Sequence, residues 1–371
     1  MHISSDTVPQ QMGCGVLTID LGALVQNFRL VQGRLAPATA GAVVKANAYG
    51  LGVLRVAPAL EAAGCHDFFV AHLSEALALR PALAASSRVF ILNGLMPGAE
   101  DLCARAQVIP VVNSRDALER WATAATRRGE RLPTVLQFDT GMSRLGMTLD
   151  EARALAAEPS NLKDLDILFV MSHLASADEP RNPQNADQLS VMRRIAEVFP
   201  GAVVSFANSG GIFLGADYHD ALARPGIALY GGAPVPTAAN PMSPVVHLDI
   251  RVIQTRTVPA GTLIGYGGSA ITTASTRLAT ISAGYADGLP RSLSNRAAVY
   301  CGEARLPMVG RVSMDSIIID ISALPEGALH AGDTVELIGP HQSLEEVAAA
   351  AGTISYEILT QLGQRYHRRY I

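Results

Sequence analysis

A chain of 371 residues that is 49% hydrophobic and 17% charged has ample apolar material for a large core and is too apolar to stay disordered. Its net charge of −4, with no basic stripe, argues against a nucleic-acid partner, and no run approaches the roughly 20 apolar residues of a membrane span. The opening MHISSDTVPQQMGCG has neither a basic start nor an apolar stretch, so it does not read as a signal peptide, and Cys14, Cys65, Cys103 and Cys301 lack disulfide or metal spacing. Reduced thiols, no metal and a cytoplasmic protein are the expectation.

In chain order, eight short β-rich runs alternate with alanine- and leucine-rich stretches. They are GAVVKAN (41–47), DFFVAHL (67–73), RVFILNG (88–94), QVIPVVN (107–113), TVLQFDTG (134–141), DILFVMSHL (166–174), VVSFANS (203–209) and GIALYG (226–231). Their apolar residues are continuous rather than alternating, which suits parallel strands buried on both faces. Ser114 marks a helix start and Gly129 a helix stop. Eight such units predict an α/β fold, a (β/α)8 barrel over residues 12–240. Lys45, Asn47, His72, Asn93, Asn113, Asp139, His173, Asn208 and Ser209 fall at or just past the ends of these runs. That is the face on which such barrels carry their active sites.

The Pro/Gly/Ala-rich stretch 228–244 reads as a linker. Beyond it, VVHLDIRVIQTRTV, TRLATISAGYADG, AAVYCG, SIIIDIS and DTVELIG predict a second, mostly antiparallel β domain over residues 241–371. Ser343 with Glu346 three residues on is a capping-box pattern that opens a helix.

Among the 29 basic residues only Lys45 and Lys163 are lysines. Lys163, in the polar segment SNLKDLD, reads as solvated. Lys45 ends an apolar run. A desolvated lysine can lose its proton and attack a carbonyl, which arginine does not do. Lys45 is therefore the candidate Schiff-base amine for a carbonyl cofactor.

The block VVKANAYGLG resembles the cofactor-lysine motif of the alanine racemases, enzymes that use pyridoxal 5′-phosphate (PLP). DTGMSRLG (139–146), SHLASAD (172–178), ANSGG (207–211), ARPGIALYG (223–231), GYADGLPR (284–291), GRVSMD (310–315) and ISYEIL (354–359) resemble further blocks of that family, in order. The resemblance runs from about residue 16 to the C-terminus and implies a barrel followed by a β domain. It implies that Lys45 holds the cofactor and serves as the base on one face of the substrate carbon. Tyr285 of a partner subunit would be the base on the other face, since racemisation removes a proton from one side and returns one from the opposite side. His173 and Arg224 would support these groups, with Arg224 meeting the ring nitrogen of the cofactor. Arginine keeps its proton, so that nitrogen would stay unprotonated, which limits side reactions such as transamination.

Ser209, the amides of Gly226 and Ile227, and the hydroxyls of Tyr49 and Tyr356 would cradle the phosphate, with Asn208 beside them. Arg144 and the amide of Met314 would receive the substrate carboxylate, Met314 again from the partner, and Ile354 and Tyr356 would line the entrance. A homodimer with shared active sites follows, its β domain serving the partner's site.

Two departures stand out. Seven residues before Arg144, where the family usually has a carbamylated lysine, this chain has Gln137. Gln137 is expected to orient Arg144, alone or with a bound anion such as chloride. Ser313 stands where cysteine is also common. The reading is a PLP-dependent alanine racemase acting on a small amino acid. The rivals are a broader small-amino-acid (serine) racemase, a PLP-dependent decarboxylase and a non-catalytic PLP carrier.

Overall fold

A computed structural model describes residues 13–371. The signal-peptide expectation and the barrel start at residue 12 lie largely outside that range. The chain forms two compact units. One comprises residues 24–229 with 233–242; the other comprises the segment ending at Ala23, residues 230–232 and residues 243–371.

The first unit is built on seven parallel strands whose spatial order follows the chain: Ala42–Val43, Asp67–Val70, Arg88–Ile91, Ile109–Val112, Leu132–Gln137, Leu165–Met171 and Val204–Ser205. Continuous apolarity is explained by burial: Phe68, Phe69, Val89, Phe90, Val135, Leu136, Phe169 and Val170 are all buried. The Phe90 ring lies 4.8 Å from Phe69 and 5.2 Å from Phe169, measured between centroids, so aromatic packing ties neighbouring strands together. The helices between strands present apolar stripes. Arg115–Arg128 buries Leu118, Trp121, Ala124 and Ala125. The Ser114 hydroxyl accepts the Ala117 N–H (3.2 Å), and Gly129, at φ 68°, closes the helix, both as the sequence predicts.

The eighth position differs from expectation. GIALYG is a turn, not a strand. Leu222–Ala223 takes its place and pairs in parallel with Thr39–Ala40. Ala221 and Arg224 donate their N–H groups to the carbonyls of Val204 and Ala207, so the run of parallel pairing returns to its beginning as a (β/α)8-type barrel. Pro225 has no N–H to continue the ladder. Residues 227–230 are apolar because the turn is buried, which imitates a buried strand.

The second unit is a mostly antiparallel β structure. Its centre is the long strand Val246–Val258, paired with Gly15–Ile19, Thr334–Ile338 and Thr276–Ile281. The alternation in VHLDIRV puts every second side chain in the core. A bulge between Val252 and Gln254 accompanies its shift to Thr276–Ile281. The fully buried Gly15–Ile19 also pairs in parallel with His367–Tyr370. This strand therefore builds the β unit, although the sequence places it with the barrel; a short apolar run does not say which sheet it joins. Ser343 and Glu346 form the expected reciprocal cap on Leu344–Ala351.

Candidate active site

Lys45 follows the strand Ala42–Val43 and opens an unusual turn. Ala46, Asn47 and Ala48 have φ of 53–55° and ψ of 47–54°, and Tyr49 has φ 56°. These are left-handed helical values in four consecutive non-glycine residues, a conformation that costs roughly 1–2 kcal/mol per residue. Such strain persists only where surroundings impose it. Asn47 Oδ1 accepts the Val53 N–H (2.9 Å), and Glu75 Oε1 accepts the Ala46 N–H (2.6 Å). Gly50 and Gly52, both at positive φ, lead the chain out.

The turn leaves Lys45 half-buried among cations. Burial first, then the charges of Arg144 and Arg224, hold its amine below the ordinary lysine pKa, with Glu75 opposing them. His173, at the end of Leu165–Met171, is pushed down to about 3, mainly by burial and then by Arg224, Arg144 and Lys45. Its imidazole is neutral at physiological pH. Arg224 is buried, and burial brings its guanidinium down to about 10. It donates to Ser205 Oγ and to the Ser172 carbonyl and pairs with no carboxylate among the described residues. Arg144 is exposed and has no hydrogen-bonded or ion-paired partner among the described residues. The fold thus gathers Lys45, Arg144, His173 and Arg224 into one electrostatic neighbourhood, a place for an anionic, electron-accepting ligand.

The residues expected to hold a phosphate also converge. Ser209 Oγ accepts the N–H groups of Gly226 (2.9 Å) and Ala228 (3.3 Å). Asn208 caps the helix Ser209–Leu214 through Gly211 and donates to the Leu174 carbonyl. The Tyr49 hydroxyl lies so close to Gly226 that a Cβ there would sit 2.2 Å from it. Only glycine lets backbone and phenol approach in this way. A cradle that a methyl group would fill, a depressed amine and a buried arginine without a carboxylate together fit PLP.

Gln137 does not meet Arg144. Its Nε2 donates to the Leu145 carbonyl (3.3 Å), and no hydrogen bond joins it to Arg144. It holds the backbone next to the arginine instead of its guanidinium. Asp139 Oδ1 accepts the N–H groups of Gly141, Met142 and Ser143, which folds the loop that presents Arg144. Asn47 and Asn113 likewise hold backbone: Asn113 donates to the Leu92 carbonyl. Much of the polar ring read from the sequence is thus loop architecture.

Within the second unit, Tyr285 and Met314 form a cluster. Tyr285 N–H donates to the Ser313 carbonyl and Ala286 N–H to that of Met314. A Cβ on Gly284 would fall 2.2 Å from Ser313 O, so glycine is required there. Beneath them, the buried Asp287 carboxylate accepts the Gly284 N–H (2.9 Å) and a bidentate pair from Arg365 (2.6 and 2.7 Å), which also binds Asp315. Tyr285, Met314, Ile354 and Tyr356 are 46, 52, 62 and 42% exposed. Sequence reasoning missed Glu75, Asp287 and Arg365. Glu75 lies three residues after His72 and accepts its N–H, but histidine there hides the capping pattern.

Residues 19–234 match the model for the alanine racemase N-terminal domain and residues 245–370 that for the C-terminal domain. A catabolic alanine racemase of Agrobacterium fabrum is 58% identical over 357 residues, covering 96% of this chain and 92% of the relative. The crystal structure of alanine racemase from Bartonella henselae with covalently bound pyridoxal phosphate has a TM-score of 0.93 at 45% identity, covering 96% of this chain and 99% of that one. Alanine racemase from Streptomyces coelicolor A3(2) gives 0.91 at 33% identity, covering 97% and 99%. The chain belongs to the alanine racemase family.

Proposed function

We propose that this protein interconverts L- and D-alanine with PLP as cofactor, by a two-base mechanism. The observation that carries the reading is the half-buried Lys45 amine, held below its ordinary pKa beside Arg144 and Arg224, neither of which has a carboxylate partner among the described residues. PLP supplies a conjugated electron-accepting ring that makes an amino acid's α-proton removable. Lys45 anchors the cofactor and moves a proton at one face of the α-carbon. The Tyr285 phenol of a second copy moves one at the other face. Neutral His173 can exchange a hydrogen bond without adding a charge, and Arg224 donates to the ring nitrogen without giving up its proton. Ser209, Asn208, Gly226, Ile227, Tyr49 and Tyr356 hold the phosphate, and Arg144 with the Met314 amide of a second copy orients the substrate carboxylate.

The finer organisation belongs to the same reading. The barrel unit, residues 24–229 with 233–242, holds the cofactor, and the β unit completes a partner's site, in a cytoplasmic homodimer. The exposed apolar side chains of Tyr285, Met314, Ile354 and Tyr356 support a covering second copy. No helix among the described residues is long and apolar enough to cross a membrane. Free, buried Cys65 and Cys103 suit a reducing compartment.

Racemisation of a panel of L-amino acids in deuterated water tests the reading. Alanine should gain α-deuterium fastest, Lys45→Ala should abolish exchange, and Tyr285→Phe should slow it on one face far more than on the other. Release of CO2, or equal loss on both faces, would overturn it.

A further inference from the structure

The left-handed turn 46–49 connects two groups that must be aimed together, the Lys45 amine and the Tyr49 hydroxyl. Its first N–H, that of Ala46, is taken by Glu75 Oε1 (2.6 Å). The other oxygen of the same carboxylate accepts the N–H groups of Ala71 (2.7 Å) and His72 (3.1 Å), just past the strand Asp67–Val70. Glu75 lies on the helix Leu73–Leu79, which fixes it relative to that strand. It forms no ion pair among the described residues, although it borders the cationic neighbourhood of Lys45. Its hydrogen bonds go to backbone alone, and charge-assisted bonds of this kind are the strong ones.

We propose that Glu75 is a positioning residue: by bridging Ala46 to Ala71 and His72 with one carboxylate, it locks the left-handed turn and so sets the aim of both Lys45 and Tyr49. The functional consequence rests on Lys45 and Tyr49 holding the cofactor. The turn-locking role does not, and the test separates the two. Glu75 also opposes the depression of the Lys45 amine, so its loss should leave that amine both freer and more often unprotonated.

The test uses full-length Glu75→Ala and Glu75→Gln, the isosteric form that keeps one acceptor oxygen. Three readouts are taken. In the apoenzyme, hydrogen–deuterium exchange over residues 45–52 should accelerate about tenfold in Glu75→Ala and less in Glu75→Gln. Acylation of Lys45, measured by mass spectrometry against Lys163 as the other lysine of the chain, should rise in both variants. In the holoenzyme, PLP should dissociate about tenfold faster from Glu75→Ala, with kcat falling more than KM changes and Glu75→Gln recovering part of the loss. Glu75→Gln carries the test should Glu75→Ala fail to fold. Unchanged exchange over 45–52 in the folded variants would overturn the proposal. Faster exchange and acylation with unchanged cofactor retention would refute the aiming of Lys45 and Tyr49. Retention of covalently bound PLP by Lys45→Ala would refute the functional reading while leaving the locked turn intact.

Discussion

Replacing Gly226 by alanine tests the phosphate cradle. The added Cβ would sit 2.2 Å from Tyr49 Oη and 3.1 Å from its Cζ, while the next neighbour, Val43 Cβ, is at an ordinary 3.6 Å. The obstacle is therefore one phenol. A carbon and an oxygen need about 3.2 Å or more, so the hydroxyl must retreat by about 1 Å from a buried position, an overpacking that costs about 1–3 kcal/mol. The backbone at 226 needs no positive φ, so the damage should stay local. Since the retreat displaces the hydroxyl proposed to meet the phosphate, PLP affinity should fall about 10–100-fold at 1.4 kcal/mol per decade. Spectrophotometric titration of the apoenzyme measures it, with thermal unfolding of the same sample as the control. Adding Tyr49→Phe removes the nearest clashing atom, leaving the 3.1 Å contact with Cζ, and should recover most of the stability but not the affinity. Affinity within twofold of wild type in Gly226→Ala, or no recovery of stability in the double variant, would refute the argument.

His173 yields a pH prediction. Its pKa is 6.5 when unperturbed and about 3 in the folded chain, so between those values the unfolded state binds a proton that the native state does not. Apoenzyme stability should therefore fall with decreasing pH below about 6.5, by up to about 1.4 kcal/mol per pH unit from this residue, and His173→Gln should flatten the slope of urea-unfolding free energy. Gln137→Leu removes the donor that holds the Leu145 carbonyl, a loss of about 1 kcal/mol; steady-state kinetics should show KM for alanine up about fivefold and kcat nearly unchanged. Asp287→Ala strips the buried acceptor from the Gly284 N–H and from Arg365, which keeps Asp315 and partial exposure. Chemical denaturation should report a loss of about 2–3 kcal/mol, and Asp287→Asn a smaller one.

Much of this protein is written locally. Continuous apolar runs spaced by amphipathic helices predict parallel strands, because burial on both faces leaves no polar alternation. The caps at Ser114 and Ser343 are readable because they involve residues three apart. Lys45 is conspicuous by its rarity and its apolar approach, and the blocks around Arg144, Arg224 and Tyr285 carry the family's pattern in order. Other features exist only in three dimensions. The eighth strand lies at Leu222–Ala223 rather than in the more apolar GIALYG, because hydrogen-bond partners and not hydrophobicity decide which buried segment joins a ladder. Gly15–Ile19 joins the β unit through pairing with residues more than 200 positions away. Asn47, Asn113 and Asp139 are polar at strand ends because loop N–H and C=O groups need partners, a demand that mimics a catalytic ring in sequence. The sequence by itself determined which residue types stand at the strand ends and in what order. Tertiary structure alone decided that Glu75 meets Ala46 and that four cationic or imidazole groups share one electrostatic neighbourhood, since both depend on distances between segments that no local pattern encodes.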